Sequence, residues 1–212
     1  EQLQQQLELE QVDSILIIAM MTRLRQICCE PRMLYENYKG ESTKFTMCLE
    51  LIETLKENGK KVLLFSSFTS IFDSFIEEFN QRGIKYHMIT GAVDKKKRKE
   101  EVDAFQSDDS DVFLISLKAG GTGLNLTKAQ AVIHYDPWWN VSAQNQATDR
   151  AYRIGQTKNV LVYQLLMKNT IEAKIYEMQK RKKEMSDIFV ENSNGGISTL
   201  SKEELRDLFS ME

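Results

Sequence analysis

The sequence contains few of the residues that break, cross-link or anchor a chain. Its 212 residues include only two prolines, ten glycines, three cysteines and two histidines. The scarcity of proline and glycine, together with 42% apolar residues, argues against disorder and predicts a folded core. The longest apolar run, residues 15–21, is too short to cross a bilayer, and no stretch resembles a secretory signal, so we expect no membrane partner.

The cysteines form no metal-binding pattern. Cys28 and Cys29 are adjacent, so on a helix their side chains would point about 100° apart, and Cys48 lies further along the chain. His87 and His134 are the remaining candidate ligands and are distant from them in sequence. We therefore expect no metal site in this chain, and we expect free, buried thiols in a reducing compartment.

Charge of neither sign predominates, since the net charge is −3. Any contact with nucleic acid must therefore be local. The densest basic stretch, residues 95–99, is followed by two glutamates that partly neutralise it, and it fits either a solvated face or a DNA contact. Arg23 and Arg25, near the end of the first predicted helix, could face solvent, phosphates or a helix C-terminus. We expect them to face solvent.

The sequence does contain a regular alternation of apolar runs and amphipathic segments. Strands are predicted at residues 61–66, 84–90, 111–117, 131–136 and 160–167. Helices are predicted at residues 1–29, 42–58, 68–82, 94–107, 146–156, 170–189 and 201–209. The alternation predicts an α/β fold: a right-handed, doubly wound parallel sheet flanked by helices, with helical extensions at both ends.

Polar residues follow the predicted strands at the ends where such sheets bind ligands. Ser66 and Thr69 follow the first strand, Lys118 follows the third, and Trp139 and Asn140 follow the fourth. Because the carboxyl ends of parallel strands meet at one edge of a sheet, we expect these residues to lie near one another.

A glycine-rich loop follows the third predicted strand. Gly120, Gly121 and Gly123 would expose backbone N–H groups that can surround an anion, and Lys118 precedes them. The loop lacks the residue order of a P-loop, and the chain has no D-E-x-x box. The loop therefore fits either a tight connection between strands or part of a phosphate site, the phosphate belonging to a nucleotide or to nucleic acid.

The stretch Q-A-T-D-R-A-Y-R-I-G-Q at residues 146–156 places Arg150 and Arg153 three residues apart. On a helix this spacing puts both guanidinium groups on one face, where they could contact the terminal phosphate of a nucleotide. The alternative is an ordinary surface helix in which Asp149 pairs with Arg153 at i and i+4. These residues alone leave both interpretations open.

Four motifs together resemble motifs IV, V and VI of the Swi/Snf-type helicase-like ATPases of superfamily two. They are V-L-L-F-S-S-F-T at 62–69, S-L-K-A-G-G-T-G-L-N-L-T at 116–127, D-P-W-W-N at 136–140, and the arginine stretch at 146–156. L-R-Q-I-C-C-E-P at 24–31 is similar to the segment that precedes the second lobe in that family. The resemblance, over residues 42–180, implies a C-terminal RecA-like motor lobe at 42–169, a preceding helical linker or hinge at 1–41, and a brace helix with a short terminal helix at 170–212.

The resemblance implies ATP-driven translocation along double-stranded DNA by two RecA-like lobes that close around ATP and Mg²⁺. The P-loop and the acidic box would belong to a first lobe absent from this chain, so the chain alone should not hydrolyse ATP. Arg150 and Arg153 would act as arginine fingers, and Gly121, Gly123 and Gln146 would lie near the nucleotide. The residues implied in tracking DNA phosphates are Ser66, Thr69, Arg98, Lys118, Gly120 and Trp139.

Two other functions remain open at this point: a lobe of a strand-separating helicase, and a non-catalytic interaction module whose strand-end loops serve only packing. The expected partners are double-stranded DNA, the N-terminal RecA-like lobe of the same protein, and proteins bound to the DNA. Because no long insertion interrupts the lobe, it is similar to compact bacterial members of the family. We therefore expect a bacterial, cytoplasmic, nucleoid-associated location rather than a nuclear one.

Overall fold

The computed structural model describes residues 14–120, 124–138, 144–145, 148–149, 151 and 159–186. Within these residues the helices are α1 (Ser14–Cys29), α2 (Thr43–Glu57), α3 (Ile71–Arg82), α4 (Lys95–Ser107), the short α5 (Leu117–Gly120) and α6 (Ile171–Ser186). The strands are β1 (Lys61–Ser66), β2 (Tyr86–Ile89), β3 (Val112–Ser116), β4 (Ala129–His134) and β5 (Leu161–Gln164). A single 3₁₀ turn, Pro31–Met33, follows α1.

The strands form one parallel sheet in the order β2-β3-β1-β4-β5. β1 lies at the centre, where Ser66 is aligned with Ser116 of β3 and Phe65 is aligned with His134 of β4. The carboxyl ends of these three strands are therefore level, and the loops that follow them leave the same edge of the sheet. The predicted doubly wound parallel sheet is confirmed.

The central strands are buried on both faces, as the continuous apolar run at 61–66 predicts. Val62 and Leu64 point into an apolar layer that α2 and α3 cover. Leu63 and Phe65 point into a second layer, which α4 covers on the other face. All four side chains are fully buried. The ends of the central strands are thus the part of the sheet that a ligand can approach.

Three helices begin or end where the sequence predicts. Gly83 ends α3 with a left-handed φ of 61°, which glycine adopts without a steric penalty. Asp94 caps α4, and its carboxylate accepts hydrogen bonds from the backbone amides two and three residues later. The Thr170 hydroxyl accepts a hydrogen bond of 3.2 Å from the amide of Glu172 at the start of α6. Local capping chemistry therefore fixes these boundaries.

The strands other than β1 differ from their predicted bounds. β4 begins two residues early because Ala129 pairs with Lys61 across an irregularity in the register. The expected glycine loop begins instead as the helical turn α5, in which the Ser116 hydroxyl accepts a hydrogen bond of 3.3 Å from the amide of Ala119. The helices predicted over residues 1–13, 187–189 and 201–209 lie outside the described residues.

Buried polar contacts beside Tyr135 join α1, α2 and α6. The Lys44 ammonium lies 2.6 and 2.7 Å from the two carboxylate oxygens of Glu172, and both side chains are at most 3% exposed. Glu172 also accepts a hydrogen bond of 3.1 Å from the amide of Met167. The Tyr135 hydroxyl donates a hydrogen bond of 2.6 Å to the carbonyl of Cys29. The helices that precede and follow the sheet are therefore attached to it by specific polar bonds.

Candidate functional site

Exposed polar residues lie at the carboxyl edge of the sheet. Thr69 is exposed in the loop after β1, and Lys118 is exposed in α5, directly after the neighbouring strand β3. Gly120 is the last residue of α5. A hydroxyl and an ammonium group on the loops of adjacent strands are suited to binding phosphate oxygens.

Ser66, in contrast, faces inward. It is fully buried, its hydroxyl donates a hydrogen bond of 2.7 Å to Asp136, and the same oxygen accepts one of 3.1 Å from the amide of Phe68. A direct phosphate contact by this hydroxyl would require these bonds to break. The contacts in the structure support an internal role in shaping the end of β1.

Arg98 lies in the first turn of α4. This helix follows the loop after β2 and therefore begins at the carboxyl edge of the sheet. It is half-buried, and its guanidinium donates a hydrogen bond of 3.3 Å to the carbonyl of Val93. The other four residues of the run at 95–99 are lysines, and all four are exposed. The basic run is therefore solvated, and it lies beside the edge that carries Thr69 and Lys118.

The residues expected nearest the nucleotide lie outside the described residues. They are Gly121, Gly123, Gln146, Arg150 and Arg153, and Trp139 of the proposed DNA track is outside them as well. Their roles stay predictions.

Described residues beside the arginine pair are attached to the sheet. The Thr148 hydroxyl lies 2.9 Å from Nε2 of His134, and Ala151 is fully buried in the apolar layer on the α4 side. His134 is 2% exposed, and burial lowers its pKa to about 4 against the opposing effect of Asp136, so the ring is neutral at pH 7. His134 is therefore a neutral histidine of the core.

Arg25 is buried, so the expectation that it faces solvent is wrong, whereas Arg23 is exposed as expected. Nη2 of Arg25 donates hydrogen bonds to Asp136 (2.8 Å), to the hydroxyl of Ser67 (2.9 Å) and to the carbonyl of Pro137 (2.9 Å). A buried guanidinium needs a compensating charge. The partner of Arg25, Asp136, lies 111 residues away in sequence, so helical periodicity cannot identify it. The sequence signal for a role of Arg25 is its position in the L-R-Q-I-C-C-E-P segment.

Asp136, the first residue of the D-P-W-W-N motif, is the centre of this polar cluster. Its Oδ1 accepts hydrogen bonds from the hydroxyl of Ser66 (2.7 Å) and the amide of Ser67 (3.0 Å). Its Oδ2 accepts from Arg25 (2.8 Å) and from the Ser67 hydroxyl. The side chain is 0% exposed. One carboxylate therefore connects the ends of β1 and β4 to α1, a role that the sequence reasoning did not assign.

Across the described ranges, no three His, Cys, Asp or Glu side chains are grouped to hold a metal ion. None of the helices in those ranges has the length and apolar character that a membrane crossing needs. The cysteines are free, and burial raises the pKa of each thiol. They are therefore protonated at neutral pH and are poor nucleophiles.

Comparison with known proteins identifies relatives of this fold and site. A family model described as the helicase conserved C-terminal domain matches residues 43–155. An uncharacterized ATP-dependent helicase of Mycoplasma pneumoniae is 40% identical over 207 residues, which cover 95% of this chain and 20% of that protein. The chromatin-remodeling ATPase INO80 of Candida albicans is 40% identical over 158 residues, which cover 74% of this chain and 11% of that protein.

Among solved structures, the Sulfolobus solfataricus SWI2/SNF2 ATPase core in complex with dsDNA matches with a TM-score of 0.79 and 29% identity, covering 100% of this chain and 46% of that chain. The chain spans about a fifth of the length of the curated relatives it matches first, 20% and 22% of them. The region matched by the family model contains β1 to β4 and the loops at their carboxyl ends. The chain belongs to the helicase conserved C-terminal domain family and is a RecA-like C-terminal lobe of the Swi/Snf type within superfamily two.

Proposed function

We propose that this chain is the second motor lobe of an ATP-dependent translocase or remodeller that acts on double-stranded DNA. A first RecA-like lobe of the same protein holds ATP and Mg²⁺ with its P-loop and acidic box. Arg150 and Arg153 reach the γ-phosphate from this lobe, and Gly121, Gly123 and Gln146 lie near the nucleotide. The chain alone is inactive because it supplies only part of the phosphate site.

The observation that carries this proposal is the set of exposed polar groups at one edge of the sheet. Thr69 and Lys118 follow adjacent strands, and the basic first turn of α4 begins at the same edge. Both side chains are exposed, so a partner outside the lobe can reach them. An exposed hydroxyl beside exposed cations suits the phosphates of a DNA strand. The Sulfolobus relative, described as a complex with dsDNA, supports DNA as the partner.

The proposed DNA track consists of Thr69, Arg98, Lys118, Gly120 and Trp139. Ser66 was expected to belong to it, but its hydroxyl is bonded to Asp136. We therefore assign the phosphate contact at the end of β1 to Thr69 and give Ser66 a role in fixing the shape of that loop.

The residues beside the arginine pair support an outward orientation for it. Thr148 and Ala151 are three residues apart, and both contact the sheet. On a helix, positions 150 and 153 fall on the side opposite to positions 148 and 151. Helical spacing therefore predicts that both guanidinium groups point away from the core of this lobe, which is the orientation required to reach a nucleotide held by another lobe.

The chain has three parts in this function: a linker or hinge at 1–41, the motor lobe at 42–169, and a brace helix with a terminal helix at 170–212. Proteins bound to the DNA are further expected partners. We further propose a bacterial, cytoplasmic, nucleoid-associated location, because no long insertion interrupts the lobe.

The decisive experiment measures ATP hydrolysis, with and without double-stranded DNA, by the protein that contains both lobes. An arginine finger contributes ~10³–10⁵ in rate, or about 4–7 kcal/mol of barrier. Arg153→Ala should therefore abolish DNA-stimulated hydrolysis while DNA binding survives. Arg181→Ala, which changes an exposed arginine of α6, is the matched control. Full DNA-stimulated turnover by Arg153→Ala would contradict the finger assignment.

Two further assays separate the alternatives. The Mycoplasma relative is described as a helicase, so strand separation is tested on a forked duplex; efficient strand release would favour that alternative over translocation without unwinding. Charge reversal at Lys118, Arg150 and Arg153 tests the non-catalytic alternative. We expect loss of activity, whereas an interaction module would retain it.

A further inference from the structure

Arg25 of α1 holds together the two loops that follow β1 and β4. Its three hydrogen bonds end on Ser67, Asp136 and Pro137, so both loops are bound by one nitrogen. Its guanidinium carbon also lies 5.0 Å from the ring centroid of Phe68, in the loop after β1, and 5.9 Å from that of Trp138, in the loop after β4.

Stability alone is a weak explanation for this buried charged pair. The side chains of Arg25 and Asp136 are 5% and 0% exposed, and well-packed apolar residues of similar volume are often as stabilising as such a pair. The charged pair differs in that it specifies geometry, because a planar guanidinium forms directed hydrogen bonds and stacks on aromatic rings. It therefore fixes the two loops in one arrangement, relative to each other and to α1.

The loop after β4 is held at a second point by α6. The side-chain amide of Gln179, which is 7% exposed, donates a hydrogen bond to the carbonyl of Trp138. Along the chain, the loop after β4 leads to the proposed arginine fingers. The loop after β1 contains Thr69 of the proposed DNA track. The two loops that Arg25 connects thus serve the two halves of the proposed function.

We propose that Arg25 is a positioning residue for DNA-stimulated ATP hydrolysis. It contacts neither DNA nor nucleotide. It fixes the DNA-facing loop after β1 against the segment that leads to the arginine fingers, so that the residues that bind DNA and those that contact the nucleotide phosphate keep one relative position. This inference rests on the proposed function. It gives a role to α1, which contributes no residue to the proposed DNA track or to the nucleotide site.

The test uses the protein with both lobes and compares four variants, of which the single change Arg25→Met supplies the loss of Tm against which the double change is judged. Arg25→Lys keeps the charge but loses the planar stack between the two rings. Arg25→Met combined with Asp136→Asn removes both charges, so no unpaired charge remains buried. Arg23→Gln changes an exposed arginine on the same helix and is the matched control. For each variant, kcat, the KM for double-stranded DNA and the Tm are measured.

We expect kcat to fall roughly 10- to 100-fold in all three variants that change Arg25, since a misplacement of about 1 Å can cost on the order of 10²-fold. The KM for DNA should stay near the wild-type value, because the alignment that Arg25 provides stabilises the reacting complex and not the binding of DNA. The double change should recover most of the Tm that Arg25→Met alone loses, without recovering kcat. Arg23→Gln should leave all three quantities unchanged.

Each result has a distinct meaning. Recovery of kcat together with Tm in the double variant, or full kcat in Arg25→Lys, would show that Arg25 only stabilises the fold and would overturn the inference. If Arg153→Ala abolishes turnover while the Arg25 variants keep it, this inference fails and the proposed function stands. If DNA does not stimulate hydrolysis by the wild-type protein, the proposed function fails and the inference falls with it.

Discussion

The buried pair between Lys44 and Glu172 offers a quantitative test of how α6 is attached to the lobe. Lys44 lies in the first turn of α2 and Glu172 in the first turn of α6, 128 residues later. Their closest approach is 2.6 Å, and the side chains are 3% and 0% exposed. Lys44→Met removes the ammonium while keeping a chain of similar length. It leaves the Glu172 carboxylate buried with two weaker donors, the Met167 amide at 3.1 Å and the Cys29 thiol at 4.0 Å.

Removing one partner of a buried ion pair costs about 3–5 kcal/mol, because the remaining charge is uncompensated. At roughly 2–4 °C per kcal/mol for a domain of this size, Lys44→Met should lower the Tm by about 6–20 °C. Lys44→Met combined with Glu172→Gln removes both charges of this pair and keeps an acceptor for the Met167 amide. The double variant should therefore recover most of the loss.

The loss should also depend on pH. Burial raises the pKa of Glu172, and the attraction of Lys44 opposes this shift only in part. Without Lys44 the charged form becomes still less favourable, so the folded state takes up a proton more readily than the unfolded state does. A carboxyl group with a raised folded-state pKa contributes stability below its unfolded pKa and loses it as pH rises through the folded pKa. Lys44→Met should therefore destabilise the chain more at pH 8 than at pH 5.

Urea denaturation of the 212-residue chain at both pH values measures these differences directly. Lys85→Met is the control, because Lys85 and its partner Asp109 are largely exposed, at 62% and 79%, and solvent screens such pairs so that they contribute little to stability. Two results would refute the argument that an uncompensated charge causes the loss. One is a Lys44→Met variant with the wild-type free energy of unfolding at pH 8, and the other is a double variant that is no more stable than Lys44→Met.

Two further outcomes can be checked on other parts of the lobe. Lys118→Gln in the two-lobe protein should weaken double-stranded DNA binding and lower the slope of log K against log salt by about 1, whereas Lys128→Gln, an exposed lysine at the opposite end of the sheet, should change neither. His87 lies 2.7 Å from both Glu101 and Asp108; burial acts to lower its pKa, but these carboxylates outweigh burial and raise it. The stability that the charged His87 ring contributes is therefore complete below the unfolded pKa of about 6.5 and is lost as pH rises through the folded pKa. In urea denaturation, His87→Gln should destabilise the chain more at pH 6 than at pH 9. An equal loss of stability at both pH values would contradict this.

The sequence predicts those parts of the fold that local chemistry determines. The apolar run of β1 marks a strand buried on both faces, Gly83 marks a helix end that needs a positive φ, and Thr170 marks a helix start that its hydroxyl caps. The exposed positions of Thr69 and Lys118 follow from their place after parallel strands. The partner of Arg25 does not follow in this way. Its spacing of four residues from Met21 and from Cys29 places Arg25 on the buried face of α1, unlike Arg23, but says nothing of Asp136. Only the fold brings it to Asp136.

The end of β4 is where the helices on either side of the lobe meet the sheet. Tyr135 donates a hydrogen bond to Cys29 at the end of α1, and its ring centroid lies 5.0 Å from the Lys44 ammonium that pairs with α6. The next residue, Asp136, binds Arg25 of α1. Apolar contacts permit small sliding movements, whereas these hydrogen-bonded charges have one favourable geometry. A displacement of either flanking helix would therefore act first on the segment that leads from β4 toward the proposed arginine fingers.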